Sequence, residues 1–201
     1  RQGGHGDGFA ERAAGEFRGL MKRRAIFFDR DGTLNGECRY LADPDLLELL
    51  PGVIDGLKRL MAADYLLFVV TNQSGIGRGY YTEEAMHCVN FRLLELLEPQ
   101  GIRIEKIYYA PEAPDEPSRG RKPSPQFLLD AAEEFQLDLS QSYMIGDKLS
   151  DLECGWNAGV KRSILVRTGF GSELEEKDPQ AVENAEIVDG IGDAADLILG
   201  D

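Results

Sequence analysis

The sequence predicts an α/β fold: a central parallel sheet with helices on both of its faces. Two observations carry this. Short apolar runs of strand length alternate with longer segments of helical periodicity, joined by brief polar links. Several of those runs are continuous rather than alternating, as strands buried on both faces are. A third observation gives the sheet a working edge, since the apolar runs stop abruptly at clusters of polar residues. Residues 25–28 end in Asp29-Arg30-Asp31-Gly32-Thr33, residues 66–70 in Thr71-Asn72-Gln73-Ser74, and residues 143–146 in Asp147. In an open parallel sheet, ligands bind outside the carboxyl ends of the strands.

The elements follow in order. Residues 25–28 form the first strand, with Gly32 turning the chain sharply and Thr33 able to hydrogen-bond in that turn. Residues 36–51 are polar and rich in turn formers, too short for a large lid domain and long enough for a flap. Pro51-Gly52 opens a helix with Val53, Ile54, Leu57, Leu60 and Met61 on one face. Residues 66–70 form the second strand, and a glycine-rich loop follows. Thr82 is the expected N-cap of a helix whose first turn carries Glu83 and Glu84. Its stripe of Met86, Val89, Leu93 and Leu97 reads as core, and His87 beside it as a surface histidine. Residues 102–110 give a third strand. A proline-rich loop then leads to Ser124-Pro125, read as N-cap and first residue of a helix. Strands are expected over 143–146, 163–166 and 185–188, and helices over 149–158 and 191–199.

Composition bounds the rest. With 201 residues the chain suits one domain, which we place at 23–201 behind a flexible tail of residues 1–22. Met21 is the expected start of translation. The net charge of −14 argues against nucleic acid or an anionic membrane as partner. Cys38, Cys88 and Cys154 form no C-x-x-C pair, so a reducing, cytoplasmic setting is expected. No apolar run approaches the roughly 20 residues that span a bilayer. A monomer is expected.

On its own, Asp29-x-Asp31-Gly32 reads equally well as a turn. A calcium loop would need a further acid two residues earlier, where Phe27 stands. A parallel sheet, however, gathers four clusters at one edge: Asp29 with Asp31, Thr71 with its neighbours, Arg121 with Lys122, and Asp147 with Lys148 and Asp151. Carboxylates so close need a cation, and Mg²⁺ is the natural hard ion for carboxylates, waters and a phosphate. Asp29 can then attack phosphorus, giving an aspartyl phosphate. Asp31 can protonate the leaving alcohol and later activate water. Thr71 and Lys122 can hold the phosphoryl oxygens. A phospho-acceptor signalling domain uses similar groups, but has no need of an acid/base two residues after the acceptor.

Asp29-x-Asp31-Gly32-Thr33, Thr71 after a strand, Lys122-Pro123 and Gly146-Asp147-x-x-x-Asp151 resemble the four motifs of the haloacid dehalogenase-like phosphatases. The longer strings from Phe28 to Asn35, from Val70 to Gly79, and Arg121-Lys122-Pro123 are similar to its branch of heptose bisphosphate 7-phosphatases and histidinol-phosphatases. The resemblance implies a Rossmann-like three-layer sandwich with no large cap domain. It implies Asp29 as nucleophile, Asp31 as general acid/base, and Thr71 and Lys122 as phosphoryl stabilisers. Mg²⁺ would be held by Asp29, the backbone carbonyl of Asp31, and Asp147, with Asp151 supporting through water or Lys122. Substrate contacts would come from Glu37, Cys38, Arg39, Tyr40, Thr71, Asn72, Gln73, Ser74, Arg121, Lys122 and Lys148. The expected substrate is a small phosphorylated sugar, the heptose bisphosphate, with histidinol phosphate as the alternative. Members of this branch often carry a Cys/His zinc loop before Arg-Lys-Pro. Here residues 109–120 hold neither residue type, so no structural zinc is expected and proline is expected to stiffen the loop.

Overall fold

The computed structural model describes residues 22–201. The expectations for residues 1–21, the tail and the start at Met21, lie outside the described residues.

Six parallel strands form one sheet: β1 (Arg24–Phe28), β2 (Tyr65–Asn72), β3 (Ile104–Ala110), β4 (Tyr143–Gly146), β5 (Arg162–Val166) and β6 (Glu186–Val188). Their spatial order is β3-β2-β1-β4-β5-β6. The direction of winding reverses between β1 and β4, which pair directly through Ile26 with Tyr143 and Phe28 with Ile145. That reversal is the switch point at which such sheets bind ligands.

Among the described residues, six helices cover the sheet: α1 (Val53–Ala62), α2 (Glu83–Leu97), α3 (Gln126–Phe135), α4 (Leu149–Ala158), α5 (Gly171–Lys177) and α6 (Ile191–Leu199). Successive strand residues point to opposite faces. Ile26 and Phe28 therefore join Leu57 of α1, Leu93 of α2 and Ile198 of α6 in the larger core cluster. Ala25 and Phe27 face Leu128 of α3 and Cys154 of α4. Leu152, Leu165 and Val182 form a third, smaller cluster, with Leu174 of α5 and the single tryptophan, Trp156, packed against it. The structure is thus the expected three-layer sandwich.

Local differences from the sequence reading have local causes. Helix α3 begins one residue later than Ser124-Pro125 predicts. Pro125 takes the cap position, and Ser124 Oγ instead accepts a hydrogen bond from the Gln126 amide at 3.3 Å. The Thr82 cap forms as expected, accepting from the Ala85 amide at 3.2 Å. The Thr33 hydroxyl, by contrast, is buried without a hydrogen-bond partner. Helix α5 is absent from the sequence reading, because its seven residues, Gly-Ser-Glu-Leu-Glu-Glu-Lys, offer Leu174 as their one large apolar residue and hence no periodicity.

Between β1 and α1 the flap carries a short 3₁₀ turn over Pro44–Leu46, capped by the Asp43 side chain. No separate cap domain is present among the described residues. No helix there is long and apolar enough to cross a membrane.

Candidate active site

Strand β1 delivers Asp29 to the switch point, fixed by its amide donating to the Ile145 carbonyl of β4 at 2.9 Å. The Asp29 side chain is almost fully buried. Lys122, from the loop before α3, places its ammonium 2.8 Å from Asp29 Oδ1 and 2.7 Å from Asp151 Oδ1. It also donates to the Val70 carbonyl at 2.6 Å. One carbonyl acceptor and two carboxylates thus surround a single buried ammonium. Burial opposes the charge on Lys122, but Asp151 and Asp29 outweigh it and hold the ammonium protonated well above its ordinary range. Burial likewise works against ionised Asp29, yet Lys122 and Lys148 outweigh it and keep this carboxyl below the usual carboxylate range. A permanently ionised carboxylate is the form a nucleophile needs.

Asp147, at the end of β4, is completely buried. Burial, and then the charge of Asp29, push its pKa up to about 8. The Phe170 amide donates to its Oδ2 at 2.9 Å. Two glycines make room for it. A Cβ on Gly32 would lie 2.3 Å from Asp147 Oδ2, and one on Gly169 would lie 2.2 Å away, both at positive φ. Lys148 Nζ lies 3.2 Å from Asp147 Oδ1, 3.9 Å from Asp29 Oδ2 and 3.1 Å from Glu37 Oε2 on the flap. Burial disfavours the Lys148 charge, but Asp29, Asp147 and Glu37 raise its pKa on balance.

Asp29, Asp147 and Asp151 each bring a carboxylate oxygen within 4.8 Å of the others. Asp151 is pushed up by burial, against the pull of Lys122. Its Oδ2 also accepts from the Lys148 amide at 3.0 Å, boxing the N-terminus of α4. The donor set fits a hard divalent cation. Asp29 and Asp147 offer carboxylate oxygens beside a lysine ammonium, and Asp147 is pushed up to about 8 by burial and its neighbour's charge, while Asp151 is engaged by Lys122 and the Lys148 amide.

Asp31 borders the cleft with Asp29 and has partners of its own. Arg30, fully buried, donates to its Oδ1 at 3.2 Å and to its Oδ2 at 2.8 Å. Asn35 Nδ2 reaches Oδ1 at 3.0 Å, and Gln73 Nε2 reaches Oδ2 at 3.0 Å. Arg30 is itself anchored to Asn90 Oδ1 of α2 at 2.7 Å.

Above the carboxylates lies a cleft of about 280 Å³. Glu37, Cys38, Arg39 and Tyr40 of the flap line one side. Thr71, Asn72, Gln73 and Ser74 line another, with Arg121, Lys122 and Lys148 completing it. All the residues expected to contact substrate therefore border one cavity, while Asp147 lies buried beside it. Asn72 is also structural, since its amide exchanges two hydrogen bonds with the backbone of Lys122, at 3.0 and 3.1 Å. The sequence reading missed Arg30, Asn35, Asn90, Tyr81 and Phe170. Nothing in one sequence marks the buried Arg30 as the anchor of Asp31.

The loop lacking zinc ligands is tied by hydrogen bonds as well as by prolines. Glu116 accepts from the Ala113 amide at 2.6 Å, and Glu112 accepts from Ser118 Oγ at 2.7 Å. Ser118 Oγ in turn accepts from the Arg121 amide at 3.1 Å.

Fold and site together define a Rossmann-like hydrolase of the kind that cleaves phosphate esters. The HAD-hydrolase-like family model matches residues 120–194. The D-glycero-beta-D-manno-heptose-1,7-bisphosphate 7-phosphatase of Haemophilus influenzae is 41% identical over 73% of this chain and 83% of its own length. The alpha-anomer 7-phosphatase of Campylobacter jejuni is also 41% identical, over 73% of this chain and 84% of its own. A solved D,D-heptose 1,7-bisphosphate phosphatase from B. bronchiseptica, complexed with magnesium and phosphate, superposes with a TM-score of 0.80. That likeness covers 88% of this chain and 98% of the other, at 29% identity. The chain belongs to the haloacid dehalogenase-like phosphatases, in the family of the heptose bisphosphate 7-phosphatases.

Proposed function

We propose that this phosphatase removes the 7-phosphate of D-glycero-D-manno-heptose 1,7-bisphosphate through an aspartyl phosphate on Asp29, with Mg²⁺ as cofactor. The observation that carries the chemistry is Asp29 itself: a buried carboxylate kept ionised by two lysines at the mouth of a cleft. The substrate class follows from the relatives and their 7-phosphatase names.

Asp29, Asp147 and the backbone carbonyl of Asp31 would hold Mg²⁺, which would supply positive charge against the phosphoryl oxygens. Lys122 and the Thr71 hydroxyl face those oxygens from the protein side. An Asp29 oxygen forms a bond to phosphorus as the bond from phosphorus to the sugar oxygen breaks. Asp31 would deliver a proton to that leaving oxygen once one of the N–H donors that hold its carboxylate at rest gives way. A water then attacks phosphorus, Asp31 takes a proton from it, and the Asp29 oxygen is released. Asp151 acts through Lys122, whose ammonium it shares with Asp29.

Arg121 supports a substrate with a second anionic group. Its guanidinium donates to the Glu112 carbonyl at 3.2 Å, while burial and the nearby Arg78 both work against its charge. A second phosphate would relieve that imbalance.

Phosphate release should be measured for both heptose bisphosphate anomers and for histidinol phosphate. The expected result is at least a tenfold preference in kcat/KM for a heptose bisphosphate. A preference for histidinol phosphate would overturn the substrate. Stable stoichiometric labelling without turnover would overturn the hydrolase chemistry in favour of a signalling acceptor. Asp29→Asn should abolish turnover, by roughly 10³-fold or more, while the circular-dichroism spectrum is unchanged.

A further inference from the structure

We propose that Gln73 is a positioning residue for catalysis, acting through Asp31 and Thr71 rather than by contacting the sugar; this rests on the aspartyl-phosphate reading above. Gln73 borders the cleft, yet it is only 3% exposed. Its amide is already committed. Nε2 donates one hydrogen to Asp31 Oδ2 at 3.0 Å and the other to Thr71 Oγ1 at 2.8 Å. Oε1 accepts from the Tyr81 hydroxyl at 2.7 Å. An amide has two N–H donors, and both are used, so none is left for a substrate hydroxyl.

The hydroxyl of Tyr81 fixes which way the amide faces. Burial raises the Tyr81 pKa to about 12, so the phenol stays a donor and holds the carbonyl end of Gln73 towards itself. The NH₂ end must then face Asp31 and Thr71. Each contact has a separate consequence. At Thr71 the hydroxyl oxygen accepts from Gln73, which frees the hydroxyl hydrogen to donate to a phosphoryl oxygen. At Asp31 the amide fixes Oδ2, while Arg30 and Asn35 brace the same carboxylate from the other side. One side chain thereby couples the group that steadies the phosphoryl oxygens to the group that protonates the leaving oxygen. A displacement of about 1 Å in such a group can cost on the order of 10²-fold in rate.

The test separates leaving-group chemistry from binding. Gln73→Met keeps the length and removes the hydrogen bonds; Gln73→Glu keeps the shape and removes the donors. Each variant is checked for folding by thermal melt, so failure of one leaves the other to be read. The values of kcat and KM are measured with the sugar bisphosphate, or with whichever alkyl phosphate the wild-type protein hydrolyses best, and with dinitrophenyl phosphate. The aryl leaving group needs no proton, so the Asp31 contribution to its kcat/KM is small. We expect kcat on the alkyl ester to fall about 30-fold with KM within about threefold. The loss of kcat/KM on the alkyl ester should exceed that on the aryl ester by about tenfold. A rise in KM with kcat retained would make Gln73 a sugar contact and overturn the proposal. Equal losses on the two esters would make it merely structural, with the same effect. Absence of activity in the wild-type protein on any phosphate ester would instead count against the underlying hydrolase reading.

Discussion

Lys122 carries more consequence than any other single side chain. Its ammonium balances Asp29 and Asp151, all three being buried. Removing one partner of a buried ionic cluster leaves uncompensated charge and costs about 3–5 kcal/mol. Lys122→Met should therefore lower the unfolding free energy by about that amount as well as abolish turnover, which a urea melt would show. Asp147 sets a pH dependence. Its folded-state pKa of about 8 lies above the ordinary carboxyl value of 3.8. Between these values the folded state binds a proton that the unfolded state has lost. The stabilisation from that proton is fully present below the lower value and disappears as pH rises through about 8. In chelator, the melting temperature should thus fall on going from pH 6 to pH 9. Magnesium should raise it more at pH 9, because no proton then competes for Asp147. Equal magnesium shifts at both pH values would count against this account.

Individual elements show how far a sequence can be read. Strands β1, β2 and β4 are legible because burial on both faces demands unbroken apolar runs, and their polar termini mark the site. Helix α5 is not legible, since one leucine in seven residues gives no period. The partners of Asp31 are equally hidden. Arg30 and Asn35 lie beside it in sequence, but Gln73 follows β2 and Asn90, which holds Arg30, belongs to α2, and only the folded chain brings them together. The turns at Gly32 and Gly169 belong to this scale as well. Both have positive φ, and at both an added methyl would come within 2.3 Å of the buried Asp147 carboxylate. Gly32→Ala and Gly169→Ala should each destabilise the protein by about 2 kcal/mol or more. Each should also weaken magnesium binding measured by titration calorimetry, since Asp147 has to move.

At the scale of the whole molecule, the β3-β2-β1-β4-β5-β6 order explains why motifs spread from Asp29 to Asp151 converge. Asp29 and Asp147 leave neighbouring strands at the point where the winding reverses. The acidic composition conceals this. A net charge of −14 says nothing of a cleft bordered by Arg39, Arg121, Lys122 and Lys148. The loop before α3 is held by hydrogen bonds of Glu112, Glu116 and Ser118. Dialysis against EDTA should remove activity, and magnesium alone should restore it. Elemental analysis of the purified protein should find well under one zinc per chain; a tightly retained zinc would overturn the expectation of no structural zinc.

Helix α4 starts beside Lys148 and Asp151 and carries Trp156 further along, against Leu165 and Val182. It holds the one indole among 201 residues. Ultraviolet excitation at the red edge of the protein band therefore lights a single position in the chain, about a turn and a half beyond Asp151. The emission of the native protein, with no dye attached, becomes a direct optical gauge of whether the base of that helix shifts when magnesium and phosphate arrive.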